Sequence, residues 1–138
     1  MSGEHDLNTL LRSMSATLLE GTFVFVTLPS REVPAKVTPR MVFQEGEGTT
    51  LILLKEEAIA QGYAFEFPAR MITLNVHSAL DAVGFIALIA TKLAAAGMGV
   101  NPVAGFYHDH LFILEDRADD ALKILAQITQ DAEEAVKK

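Results

Sequence analysis

Between Met71 and Leu114 the hydropathy changes period repeatedly, and few folds accept the order that results. Ile72, Leu74 and Val76 alternate with Thr73, Asn75 and His77, the two-residue period of a strand with one covered face. Ser78-Ala79-Leu80-Asp81 interrupts the alternation. A long apolar segment follows, Asp81 to Ala96, in which Asp81, Thr91 and Lys92 are the clearly polar positions. This predicts a helix over 81–96 with Gly84 in its first turn and Gly97 as a left-handed cap. A helix so poor in polar positions must be covered on most sides, by its own sheet and by a second helix or another subunit. Val100–Gly105 and His110–Leu114 read as two short strands. Ala118, Ala121, Leu122, Leu125 and Ile128 then recur at helical spacing. The order is β-α-β-β-α.

The chain before this stretch carries similar signals. Leu7, Leu10, Leu11, Met14, Leu18 and Leu19 keep a helical period, predicting an amphipathic helix over 6–19 closed by Gly21. Thr22–Leu28 is strand-like, and Pro29, Pro34 and Pro39 exclude regular helix or central strand from the connection after it. Met41–Gln44 and Thr49–Leu54 flank Glu45-Gly46-Glu47-Gly48, a hairpin signal. A short helix over Lys55–Gln61 ends at Gly62, and Tyr63–Phe67 alternates as a strand that Pro68 separates from the next. The two halves repeat imperfectly. Thr50–Glu56 aligns with His110–Asp116 at an offset of 60, while Gly21 and Gly97 stand 76 apart. The first half lacks a strand before its first helix and the second lacks one after its last, so the halves either borrow strands or share one continuous sheet.

Composition limits the function. With 138 residues, half of them hydrophobic and 21% charged, the chain can bury a sizeable core and has apolar residues in surplus, a hint of oligomer interfaces. The net charge of -7 and the lack of Lys/Arg clusters argue against a nucleic-acid partner; Lys137-Lys138 reads as a tail. Without cysteine there is no disulfide framework or thiol nucleophile, and a reducing cytosol is the default. Residues 1–6 lack signal-peptide order, and Thr91-Lys92 breaks the most apolar run well short of the roughly 20 residues that span a bilayer. A soluble, cytoplasmic protein without a membrane partner is expected.

Thr73-Leu74-Asn75-Val76-His77-Ser78-Ala79-Leu80-Asp81-Ala82-Val83-Gly84-Phe85, followed by Leu93-Ala94-Ala95-Ala96-Gly97-Met98-Gly99-Val100-Asn101, resembles the ACT domain, the βαββαβ amino-acid-sensing module. Gly105-Phe106-Tyr107-His108-Asp109-His110-Leu111-Phe112 is similar to the signature of small bacterial tandem-ACT proteins, relatives of aspartate kinase regulatory domains and cytosolic arginine sensors. The resemblance implies an α+β chain of two ferredoxin-like units, with antiparallel sheets and helices on one face. An incomplete N-terminal unit would cover 1–67 and a C-terminal ACT domain 68–138. It also implies a non-enzymatic regulatory module that binds a small molecule, expected to be an amino acid, without a cofactor; the alternatives are a metal-dependent enzyme using His77, His108 and His110, or a purely structural or interaction protein of the same fold. The module would assemble as a homodimer or larger and act on a regulated enzyme that the sequence does not identify.

The candidate site residues carry alternatives. Ser78 and Asp81 fit a capping box, and plain capping is one reading. The other is that backbone amides over Asp81, Ala82, Val83, Gly84 and Phe85 form an anion site for an α-carboxylate, the loop that binds ligands in ACT domains. Gly84 either lets a ligand approach or serves helix-to-sheet packing. Asn101 is either a ligand contact or a turn residue. In His108-Asp109-His110 the histidines either cap strand ends or, with His77, ligate a metal in an enzyme. Asp109 is the third reading: by resemblance to the arginine sensors, its carboxylate would pair with a ligand's ammonium or guanidinium across from the 81–85 loop. There is no nucleophile with triad-like partners and no glycine-rich phosphate loop.

Overall fold

The computed structural model describes residues 2–137; Met1 and Lys138, the second of the terminal lysines, lie outside them. Two units divide the chain, and they do not follow its order: one is residues 1–19 with 71–138, the other 20–70. The chain-order division at 67/68 and this spatial division part ways because the first 19 residues pack with the C-terminal half.

Unit 20–70 contains β2 (Phe23–Leu28), β3 (Met41–Gln44), β4 (Thr49–Leu54), α2 (Lys55–Ala60) and the first part of β5 (Glu66–Leu74). Its strands run in the order β3-β4-β2-β5, and every pair is antiparallel. The hairpin and α2 lie where the sequence places them. Between β2 and β3, where a βαββαβ unit has its first helix, Pro29, Pro34 and Pro39 leave an irregular segment. Val33 and Val37 of that segment pack on the core of Val24, Val26, Leu51, Leu53 and Ala58, so two valines give the cover a helix would supply. Pro68 does not end a strand as expected. β5 runs through it, because Phe67 has a φ of 59° and the register to β2 shifts there, a bulge in which a residue without N–H is tolerated.

Unit 1–19 with 71–138 contains α1 (Leu7–Ser13), β1 (Ala16–Leu18), the end of β5, α3 (Phe85–Ala95), β6 (Asn101–Ala104), β7 (Asp109–Leu114) and α4 (Ala118–Val136). The strand order is β1-β5-β7-β6. β1 pairs antiparallel with residues 72–74 of β5, so the strand missing after the last helix comes from the N-terminus. The helix expected over 6–19 therefore stops at Ser13. Leu18 keeps a helical interval to Leu11 and Met14, but the open edge of β5 offers Ala16–Leu18 a full ladder of backbone hydrogen bonds, and that outweighs one more helical turn. Asp6 caps α1, its carboxylate accepting from Thr9 N–H at 2.9 Å and Thr9 Oγ at 2.8 Å, which holds its pKa below the ordinary carboxylate value. Ile72, Leu74, Leu111 and Ile113 alternate along β5 and β7 and pack against Leu10, Phe85, Ile89, Leu93, Ala121, Leu125 and Ile128 of the three helices. α4 buries Ala118, Ala121, Leu125, Ile128 and Ala132 and extends through Asp131–Glu134, past the predicted 118–128.

The strand predicted over 71–77 ends at Leu74, and the helix predicted from Asp81 begins at Phe85. Gly84, the N-cap, has a φ of 96°, outside the helical region, and residues 78–83 turn ahead of it. α3 also needs less cover than expected, since it buries one stripe of Phe85, Ile89 and Leu93 and exposes mainly small alanines elsewhere.

Candidate functional site

A cavity of about 240 Å³ lies in the unit that joins the two ends of the chain. One wall is the loop Ser78-Ala79-Leu80 with Ala82 and the first turn of α3, from Gly84 to Ala87. The opposite wall is Ala104 and Gly105 from the end of β6, and Asp109 at the start of β7. Asp109 is only 7% exposed, and its Oδ2 accepts a hydrogen bond from Ser78 Oγ at 3.0 Å. A carboxylate has about four acceptor positions, so this bond leaves capacity for a cationic group in the cavity. The first amides of a helix have no partner within it and carry partial positive charge. One small space is thus flanked by an anionic side chain and a helix N-terminus, which suits a ligand with charge of both signs. A larger cavity, of about 430 Å³, is lined by Met14, Leu122, Leu125 and Ala126 with Ser15 and Thr129; it contains no ionisable group, and the Thr129 hydroxyl already donates to Met14 C=O.

Of the residues singled out in the sequence, Ser78, Ala82, Gly84, Phe85 and Asp109 line the smaller cavity. Three do not. Val83 is 86% exposed, Asn101 is an exposed residue of β6 paired with Phe112, and Asp81 turns to His5, with Oδ1 at 2.7 Å from Nε2. The Ser78–Asp81 capping box is absent, since the Ser78 hydroxyl is committed to Asp109 and α3 starts later. Gly84 owes its place to its backbone conformation: a Cβ there would meet only Leu7 Cδ2, at an ordinary 3.5 Å. The histidines part. His77 packs on Phe106 and Tyr107, and His110 Nδ1 lies 3.0 Å from Thr73 Oγ1. Among the described residues, no three His, Cys, Asp or Glu side chains group to hold a metal ion.

Sequence reasoning missed what holds the loop. Glu4 forms a parallel bridge with Ser78, donating its N–H to His77 C=O at 2.8 Å and accepting from Ala79 N–H at 2.9 Å. No local pattern could announce a pairing between residues as far apart in the chain as Glu4 and Ser78. Gly105 was legible in principle as a turn glycine: a Cβ there would stand 2.9 Å from the His108 carbonyl oxygen.

Two units of the βαββαβ plan, the one over 20–70 with an irregular segment in place of its first helix, define a fold of the ferredoxin-like kind. Family models described as ACT domain match residues 2–70 and 66–127, and the chain belongs to the ACT-domain family. It is similar to a Vibrio cholerae protein of unknown function described as a possible transport protein, with 39% identity over 89% of this chain and 95% of that one, and a TM-score of 0.80. An Agrobacterium tumefaciens protein shares the fold at 19% identity, covering 84% of this chain and 89% of that one with a TM-score of 0.72. The ligand-free regulatory subunit of aspartate kinase from Thermus thermophilus shares it at 11% identity, covering 82% and 95% with a TM-score of 0.60. No curated protein matches the chain. Among the described residues, no helix is long and apolar enough to cross a membrane.

Proposed function

We propose that this protein is a non-enzymatic regulatory module that binds a free amino acid in the cavity beside Asp109. The observation that carries the reading is the pairing of a buried carboxylate with the first turn of α3 around one space of about 240 Å³. The α-carboxylate lies on the amides of Gly84 to Ala87, and an ammonium or guanidinium group lies on Asp109. The volume falls below the roughly 300–1,000 Å³ of sites for drug-sized ligands, in keeping with a single small metabolite. Regulatory subunits of aspartate kinase share the fold, which supports a regulatory role by analogy.

The protein works as a homodimer or larger assembly in the cytoplasm and passes its state to an enzyme it regulates. Exposed Leu80, Val83 and Phe106 support the assembly, being lining residues of the cavity or their immediate neighbours in the chain, with the exposed Tyr107 ring against Phe106. A thermal-shift screen of the twenty standard amino acids tests the reading. A ligand at a hundred times its Kd stabilises the native state by about 2.7 kcal/mol, so at least one amino acid raises the melting temperature. A flat screen overturns it.

A further inference from the structure

The two hairpins of this chain are copies in register, and the copies differ at one chemically decisive place. β3–β4 pairs Gln44 with Thr49, and β6–β7 pairs Ala104 with Asp109, each partner 60 residues on. Both turns close with the same bond, Glu45 N–H to Gly48 C=O at 2.8 Å and Gly105 N–H to His108 C=O at 2.9 Å. Thr49 and Asp109 are the buried polar residues of the described chain, so burial of a polar side chain recurs at one position of the repeat. Their surroundings are opposite. Asp109 faces a cavity across small Ala104. Thr49 Oγ donates to Ser30 C=O at 2.7 Å and lies 3.2 Å from Gln44 Oε1. Gln44 is tied further, its Nε2 donating to Arg31 C=O at 2.9 Å and its Oε1 accepting from Arg31 at 3.1 Å. The Thr49 hydroxyl spends its one proton on its own loop and carries no negative charge to pair with a cation, and an amide chain stands where the other hairpin has a methyl group.

We infer that the chain has one ligand site, at Asp109, and that the position of Thr49 is its closed copy, so one amino acid binds per chain. This rests on the proposed function above. The probe is whichever standard amino acid gives the largest thermal shift, titrated calorimetrically into the full chain, with amide chemical shifts recorded on the labelled protein. One ligand per chain is expected, with shifts in residues 78–87 and 104–110 and none in 28–32 or 44–50. Asp109→Asn, which keeps an oxygen for Ser78, weakens binding at least tenfold while the melting temperature of the free protein stays within a few degrees. Thr49→Val leaves stoichiometry and affinity unchanged. Two ligands per chain, shifts around Thr49, or binding lost in Thr49→Val and retained in Asp109→Asn overturns the inference while leaving an amino-acid-binding module standing. Absence of binding to every amino acid overturns both.

Discussion

Asp109 and Gly84 meet at the same cavity and do different work there. Losing a charge-assisted hydrogen bond to a partly buried ligand costs about 1.5–3 kcal/mol, so Asp109→Ala weakens amino-acid binding about tenfold to a hundredfold. Asp116, an exposed acid after β7, provides the control, and calorimetry on Asp109→Ala beside Asp116→Ala decides. Equal affinities in the two variants would remove Asp109 from the site. Gly84 acts through its φ of 96°. An L-residue in the left-handed region costs about 1–2 kcal/mol, so Gly84→Ala lowers stability by that amount in denaturant melts, although its methyl group has room. A variant as stable as wild type would show that the start of α3 can move. Asp109 and Ser78 were legible as residue types. Their mutual hydrogen bond was not, because the capping spacing of Ser78 and Asp81 offered a local partner that the fold declines in favour of one 31 residues away.

At the scale of elements, local pattern was right wherever an element buries one face in its own hairpin or helix pair, as in β3–β4 and α4. It erred at α1, at Pro68 and at the start of α3. In each place a longer-range partner or a special φ decides: the free edge of β5, the bulge at Phe67, and the left-handed Gly84. The cap of α1 gives a prediction with a sign. Thr9 lowers the pKa of Asp6 in the native state, chiefly through its backbone N–H, so native protein binds less proton there than unfolded chain. The stabilisation is present above the unfolded carboxylate pKa and is lost as pH falls through the lower native value. Asp6→Asn, which can still cap, removes that dependence. In acid titrations of stability, wild type should therefore lose more than Asp6→Asn below the ordinary carboxylate range. Parallel curves would mean that the charge of Asp6 adds nothing to the cap.

For the whole molecule, the order of the chain and the order in space disagree, and a rearranged chain can test which one folding obeys. The unit holding the site takes Leu10, Leu11, Met14 and β1 from the first 19 residues. Residues 68–138 alone would lose those side chains from the core and leave the edge of β5 unpaired. Loss of one buried leucine costs about 2–5 kcal/mol, against a total stability of about 5–15 kcal/mol, so this fragment should not fold. The other order should. Asn8 Nδ2 donates to Ala132 C=O at 3.3 Å, so the start of α1 lies beside the last turns of α4, and a flexible glycine-serine linker joins residue 137 to residue 2 in the rearranged chain. A permuted chain running 71–137, linker, 2–19 contains every side chain of that core, the strands β1, β6 and β7, and residues 71–74 of β5, which include those paired with β1. It should unfold cooperatively in denaturant, show the dispersed amide spectrum of a packed protein, and bind the same amino acid as the full chain through Asp109. If the permuted chain stays unfolded while 68–138 folds alone, the unit is contiguous in sequence, and the pairing of β1 with β5 is not what completes it.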